Sequence, residues 1–337
     1  MPGGRGGFDQ EGTLVGYIAG RYAALDIGTV TCRLLVADVG AAGEVSVLAK
    51  RYAITNLGQG VDATGRLSEE AMGRVRATVA SYMEMLAALQ AETGVPAKLT
   101  AVATSAARDA ENADEFRAML AGLGVTLAVI PGQREAALSF LGAGSAFAGE
   151  PVVVVDIGGG STEVVGGIAG ADPQLARSFD IGCRRVTERF LHADPPAPDE
   201  LAAARQWTYG QFAPYFQKLR DAGLGGARLV AVAGTATTVV SVRDAMEVYD
   251  SARVHKSQVT RSQLDEVYRR FSSVPLDGRR RIVGLDPGRA PVIVAGMVIL
   301  QEVLEAAGAD SFTVSESDIL EGIILNAAAG FPSGGCD

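Results

Sequence analysis

Two stretches of this chain place an aspartate at the lip of a glycine turn. Leu25 to Gly40 reads LDIGTVTCRLLVADVG, and Val155 to Gly170 reads VDIGGGSTEVVGGIAG. They align without a gap at an offset of 130 residues, with Asp26 on Asp156, Gly28 on Gly158 and Thr31 on Ser161. Glycines at such a turn let backbone N–H groups approach a ligand, and Ser or Thr hydroxyls add donors, so each stretch can cradle a phosphate. The candidate contacts are Asp26, Gly28, Thr29, Thr31 and Arg33 in the first, and Gly158, Gly159, Gly160, Ser161 and Thr162 in the second. A carboxylate beside an anion cradle repels phosphate directly, which indicates work through a cation or water. A third stretch, VAVAGTATTVV from 230 to 240, offers Gly234 and Thr235 as further donors. Each stretch alone has a plainer reading, as a tight turn or, for the third, a Thr-capped junction of strand and helix. The ungapped repetition sets the first two apart.

The elements that must hold these residues follow from apolar spacing. Strands are expected over 22–27, 33–39 and 46–54, β-branched and apolar with glycine-containing turns between them, as a meander. Ser68 caps a helix whose Met72, Val75, Val79, Tyr82, Met83 and Leu86 recur at helical spacing and read as core. Strands at 99–103 and 125–130 each lead into a helical segment, ATSAARDAENADEF and GQREAALSFLGAG, and this alternation implies parallel pairing after the meander. The second half repeats the plan from Val152, with an apolar helix over 291–307 and a last short strand at 311–314.

At 337 residues the chain exceeds the size at which one core usually keeps growing, so two domains are expected. The boundaries read as a flexible N-terminal extension at 1–20, a first domain at 21–142 and a second at 143–337, with the terminal helix able to pack back on the first. Hydrophobic residues make up 48% and charged residues 20%, a soluble globular balance. A net charge of −9 argues against a nucleic-acid coat, which relies on a broad basic surface. No apolar run approaches the ~20 residues that cross a bilayer, so no membrane partner is expected. Cys32, Cys183 and Cys336 form no CxxC, suggesting neither a disulfide framework nor a zinc site, and the expected setting is the reducing cytoplasm. With His192 and His255 as the sole histidines, little material exists for a His-based metal cage or a Ser-His-Asp triad.

Taken together, DIGTVTCRLLV, ATSAARDAENADEF, GQREAALSFLGA, VDIGGGSTEVV, VAGTATTVV and GLDPGRAPVIVAG stand in the order seen in the Ppx/GppA family of exopolyphosphatases and pppGpp phosphohydrolases. The resemblance spans about residues 22 to 325, and DIGGGSTE with an upstream Glu-Ala is its most specific part. It implies membership of the actin-like ATPase superfamily: α/β, with two ribonuclease-H-like domains facing across a cleft. It places Glu135 on the family's catalytic base, Arg108 on the Arg that contacts the terminal phosphoryl group, and Asp156 and Glu163 on the carboxylates for metal and lytic water. Oxygen ligands and a phosphate substrate point to Mg²⁺ or another divalent cation. Homodimerisation is common in the family.

Departures from the family pattern are Val30, where Asn is frequent, and Arg134, where a second Glu precedes Glu135. SESDILEG at 315–322 resembles Ser-x-x-Gly-Leu-Arg-Glu-Gly, but with acid at Asp318 and Glu321 in a stretch where the family carries a base. The resemblance therefore implies release of terminal orthophosphate from polyphosphate by metal-assisted water attack, with pppGpp hydrolysis to ppGpp as the alternative. An ATP-dependent sugar kinase and a non-catalytic phosphate sensor are further readings, set back by Glu135 and Arg108, which match the phosphatase pattern.

Overall fold

The computed structural model describes residues 7–8 and 14–331. Most of the expected N-terminal extension, and Cys336, lie outside them. The chain divides into two compact units: one holds the described residues up to Ser145, Gly170–Asp172 and those from Asp318 on; the other holds Ala146–Ala169 and Pro173–Ser317.

The first unit opens with the meander β1 (Gly20–Ile27), β2 (Thr31–Val39) and β3 (Val45–Ile54), followed by α1 (Glu69–Thr93). Ser68 accepts from Ala71 N at 3.2 Å and so caps α1, whose Met72, Val75, Val79 and Tyr82 are buried. Then come β4 (Lys98–Ala103), α2 (Ala113–Ala121), β5 (Leu127–Val129) and α3 (Gly132–Gly144). The sheet runs β3-β2-β1-β4-β5, antiparallel through the meander and parallel from β1 outward.

The second unit repeats this plan. Its meander is β6 (Pro151–Ile157), β7 (Thr162–Ile168) and β8 (Leu175–Phe179), followed by α4 (Cys183–Phe190) and α5 (Pro198–Leu219). Next are β9 (Arg228–Val232), α6 (Ala233–Arg243), β10 (Gln258–Thr260), α7 (Arg261–Ser272), α8 (Ile293–Ala307) and β11 (Ser311–Val314). The sheet order β8-β7-β6-β9-β11-β10 matches the first, with β10 as an added antiparallel edge. The central β6 is a Val-rich run buried on both faces, as a parallel-sheet centre requires.

The last helix, α9 (Ile319–Ala328), belongs to the first unit and lies against α3 and β1. Glycines let α3 and α9 meet backbone to backbone: a Cβ on Gly142 would fall 1.8 Å from the Asp318 carbonyl, and one on Gly322 would fall 1.9 Å from that of Leu138. Ile319, Leu320, Ile323 and Ile324 of α9 complete a core with Tyr22, Leu35 and Leu138.

Candidate active site

Both glycine hairpins close in the same way. In β1–β2, Gly28 N donates to Thr31 O at 2.8 Å; in β6–β7, Gly158 N donates to Ser161 O at 3.0 Å. In each loop the carbonyls are taken up by neighbouring donors. Thr29 O accepts from Gly58 N at 2.9 Å, and Val30 O accepts from Thr55 N and Asn56 N at 3.0 and 2.9 Å. In the second unit, Gly158 O and Gly159 O accept from Cys183 N and Arg184 N at 3.0 and 2.9 Å, while Gly160 O accepts from Arg185 Nε at 3.0 Å. Gly182, ahead of α4, must be glycine for this approach, because its Cβ would stand 2.2 Å from Gly159 O.

With the carbonyls committed, the N–H groups remain. The amides of Thr29 and Val30, the hydroxyls of Thr29 and Thr31, the amides of Gly159, Gly160 and Ser161, and the Ser161 hydroxyl donate to none of the described residues. A short loop with bonded carbonyls and open amides is an anion nest.

The rung behind each nest differs between the units. In the first, Asp26 pairs across the strands with Arg33, which donates to Oδ2 from Nε at 3.0 Å and from Nη2 at 2.6 Å. Arg33 Nη1 also donates to Asp318 on the N-cap of α9. Asp26 Oδ1 is buried with no hydrogen-bond partner. Burial pushes the Asp26 carboxyl up from its ordinary range against the pull of Arg33. Burial opposes ionisation of Asp318 too, but Arg33, Lys50 and the Leu320 amide outweigh it and hold that carboxyl below the usual range.

In the second unit the same rung holds Asp156 opposite Glu163, both buried, and Glu163 Oε1 accepts from Ser178 Oγ at 2.7 Å. Like charges facing across a rung are destabilising, and buried carboxylates need a counter-charge. This pair fits a divalent cation that keeps most of its own waters and takes few protein ligands. Among the described residues no group of three or more His, Cys, Asp or Glu side chains is placed to enclose a metal.

Glu135 and Arg108, 27 residues apart in sequence, are in contact. Glu135 is buried in the first turn of α3, and Arg108 comes from the short helix Ser105–Arg108 that follows β4. Arg108 Nη1 donates to Glu135 Oε2 at 3.2 Å and to Ile130 O at 3.0 Å. Its Nε and Nη2 donate to none of the described residues, leaving two donors for an oxyanion beside a carboxylate.

The model of the Ppx/GppA phosphatase family matches residues 35–330. The chain belongs to this family. It is 43% identical to exopolyphosphatase 2 of Mycobacterium tuberculosis over 91% of this chain and 98% of that protein. Its fold is similar to that of the Aquifex aeolicus Ppx/GppA protein, with a TM-score of 0.75 and 28% identity over 93% of this chain and 98% of that one. An exopolyphosphatase from Cytophaga hutchinsonii shares the fold at a TM-score of 0.82 and 24% identity, covering 94% of this chain and all of the other (100%). The repeated α/β architecture expected from the sequence is the one these structures share.

Not every residue grouped with the phosphate contacts has an open donor in this family member. The Thr162 hydroxyl donates to Ile181 O, while Thr235 is buried beside Gly296. Thr237 and Thr238 turn back onto Gly234 O, at 3.4 and 2.6 Å. Gly234 itself lies under a guanidinium, since its Cβ would fall 1.8 Å from Arg289 Nη1. Arg289 is the residue that sequence reasoning passed over. It sits in GLDPGRAPVIVAG, but only the fold puts it on the third glycine stretch.

The departures at Val30, Arg134 and Asp318 have structural places in the first unit, as does Glu321, which stands where the pattern Ser-x-x-Gly-Leu-Arg-Glu-Gly itself has Glu while its Arg position is Leu320. Arg134 Nη2 donates to Asn326 Oδ1 at 2.7 Å and ties α3 to α9. Glu321 accepts from Ser145 Oγ at 2.6 Å, and Asp318 both caps α9, accepting from Leu320 N at 2.9 Å, and pairs with Arg33. Val30 is buried, and its carbonyl carries the hairpin contacts above.

Proposed function

We propose that this Ppx/GppA protein is an exopolyphosphatase that releases terminal orthophosphate from inorganic polyphosphate. The observation that carries the reading is the Asp156–Glu163 rung beside an open amide nest: two buried carboxylates facing each other next to a place for phosphate. That combination suits a cation–phosphate pair and little else. The name of the Mycobacterium tuberculosis relative supports the same substrate.

Each unit carries groups suited to this chemistry. In the first, Glu135 accepts a proton from the attacking water, while the open donors of Arg108, Thr29 and Thr31 hold phosphate oxygens. In the second, Gly159, Gly160 and Ser161 bind oxyanions through backbone N–H groups, Arg289 adds a guanidinium, and Asp156 and Glu163 hold the cation. When bound, Mg²⁺ neutralises charge on the phosphate oxygens and orients water. Water oxygen bonds to the terminal phosphorus as the bridging P–O bond breaks, the shortened chain leaves with the electron pair, and no covalent intermediate forms. The buried free thiols of Cys32 and Cys183 suit a reducing cytoplasm.

The test is release of orthophosphate by purified protein with Mg²⁺ on short polyphosphate, long polyphosphate and pppGpp in parallel. Polyphosphate turnover supports the proposal. Turnover of pppGpp alone moves the function to alarmone hydrolysis.

A further inference from the structure

Arg33 is placed in the first nest as though it were an anion-binding arm, yet its charge is already engaged twice. Nε and Nη2 grip Asp26 Oδ2, and Nη1 reaches Asp318 across 285 residues of sequence. Asp26 and Asp318 are both buried, and the Arg33 side chain is 17% exposed. With Nε, Nη1 and Nη2 all directed at carboxylates of the chain, the charge of Arg33 is matched before any phosphate arrives. Two N–H groups on a single oxygen also fix the plane of the Asp26 carboxylate, leaving Oδ1 as its unpartnered acceptor. Asp318 is itself held rigidly, because it caps α9, and α9 is locked to α3 at Gly142 and Gly322.

We propose that Arg33 and Asp318 are positioning residues, which act together through Asp26: Asp318 withholds Arg33 from the ligand and Arg33 orients the Asp26 carboxylate. The inference rests on the phosphohydrolase reading above. Anion affinity at this hairpin then comes from its amides and threonines, and the Arg33–Asp318 pair serves the chemical step.

Two substitutions separate positioning from simple charge. Arg33→Gln makes the cluster one unit more negative, and Asp318→Asn makes it one unit less negative. A charge effect alone moves the two variants in opposite directions, whereas loss of positioning moves them the same way. Asn also keeps the N-cap, since Asn and Asp cap helices about equally well, so Asp318→Asn isolates the ion pair from helix stability.

The experiment measures kcat and KM on polyphosphate for both single variants and the double variant, with calorimetric binding of pyrophosphate in the absence of metal and a thermal melt for each. The expected result is a fall in kcat of about 10- to 100-fold in both singles, no further fall in the double, and KM and pyrophosphate affinity within about twofold of wild type. A tenfold loss of pyrophosphate affinity in Arg33→Gln with kcat retained would make Arg33 a phosphate ligand and overturn the proposal. So would a well-folded Asp318→Asn variant with wild-type kcat. If wild type turns over no phosphoanhydride substrate, the phosphohydrolase reading fails and the proposal falls with it; if wild type is active and the variants match it, the proposal alone fails.

Discussion

Arg33 and Glu163 occupy the same rung of two copies of one hairpin, each directly across from the aspartate that precedes the glycine turn. The first copy sets an arginine against its aspartate; the second sets a carboxylate there, so that two buried acids share the rung. Glu163→Gln removes one of them. The divalent cation concentration that half-saturates phosphate release should rise by about tenfold or more, the size seen when the shell around a metal is damaged. A cation titration of the variant that overlays wild type would contradict this assignment.

Gly182→Ala tests the cradle itself. The new Cβ would meet Gly159 O at 2.2 Å, so the loop must shift and its amides lose their common aim. We expect KM for polyphosphate to rise by about tenfold, roughly the value of one hydrogen bond to a charged group, with kcat affected less. A steady-state comparison in which KM is unchanged would remove the amide nest from the binding site.

Much of this arrangement was legible in the sequence, and the reasons differ by residue. The hairpins were visible because a repeat at a fixed offset reports the same local geometry twice, and β6 and α1 because their apolar spacing matches one period. The contact of Arg33 with Asp318 was not, since nothing in local periodicity links residues on β2 and at the cap of α9. Thr162 reads as a donor by type; whether its hydroxyl is open depends on which carbonyl the fold brings to it. Arg289 likewise gains meaning only from its place on Gly234.

Stability should be sensitive where α3 meets α9. Gly142→Ala forces a Cβ onto the Asp318 carbonyl, a backbone atom that cannot rotate away. Overpacking of this kind costs about 3 kcal/mol, and displacement of α9 also disturbs the turn of α3 that carries Glu135. Urea denaturation should show a lower midpoint with an unchanged slope; a midpoint equal to wild type would mean that the helices separate without penalty.

Acid sensitivity has a defined contributor in Glu200 at the start of α5. Its carboxylate accepts from Ala197 N at 2.9 Å and from His192 N and Ala193 N at 3.0 Å each. The Ala197 amide first, and then the other two, lower its pKa from the ordinary 4.5. A depressed folded-state value contributes stability that is present above the unfolded pKa and lost as pH falls through the folded one. Glu200→Gln should therefore melt earlier than wild type at neutral pH, and the two curves should converge in acid. Melts that differ by the same amount from pH 7 down to pH about 3 would assign the effect to something other than this carboxylate.

The most direct test of the account is orthophosphate release from polyphosphate by wild type and Glu135→Gln, measured with and without Mg²⁺ alongside polyphosphate binding. The account predicts cation-dependent release by wild type and a loss of about 10²- to 10⁴-fold in the variant, the usual worth of a positioned base, with binding retained. A Glu135→Gln protein that releases phosphate at the wild-type rate would contradict the assignment of Glu135 as the base.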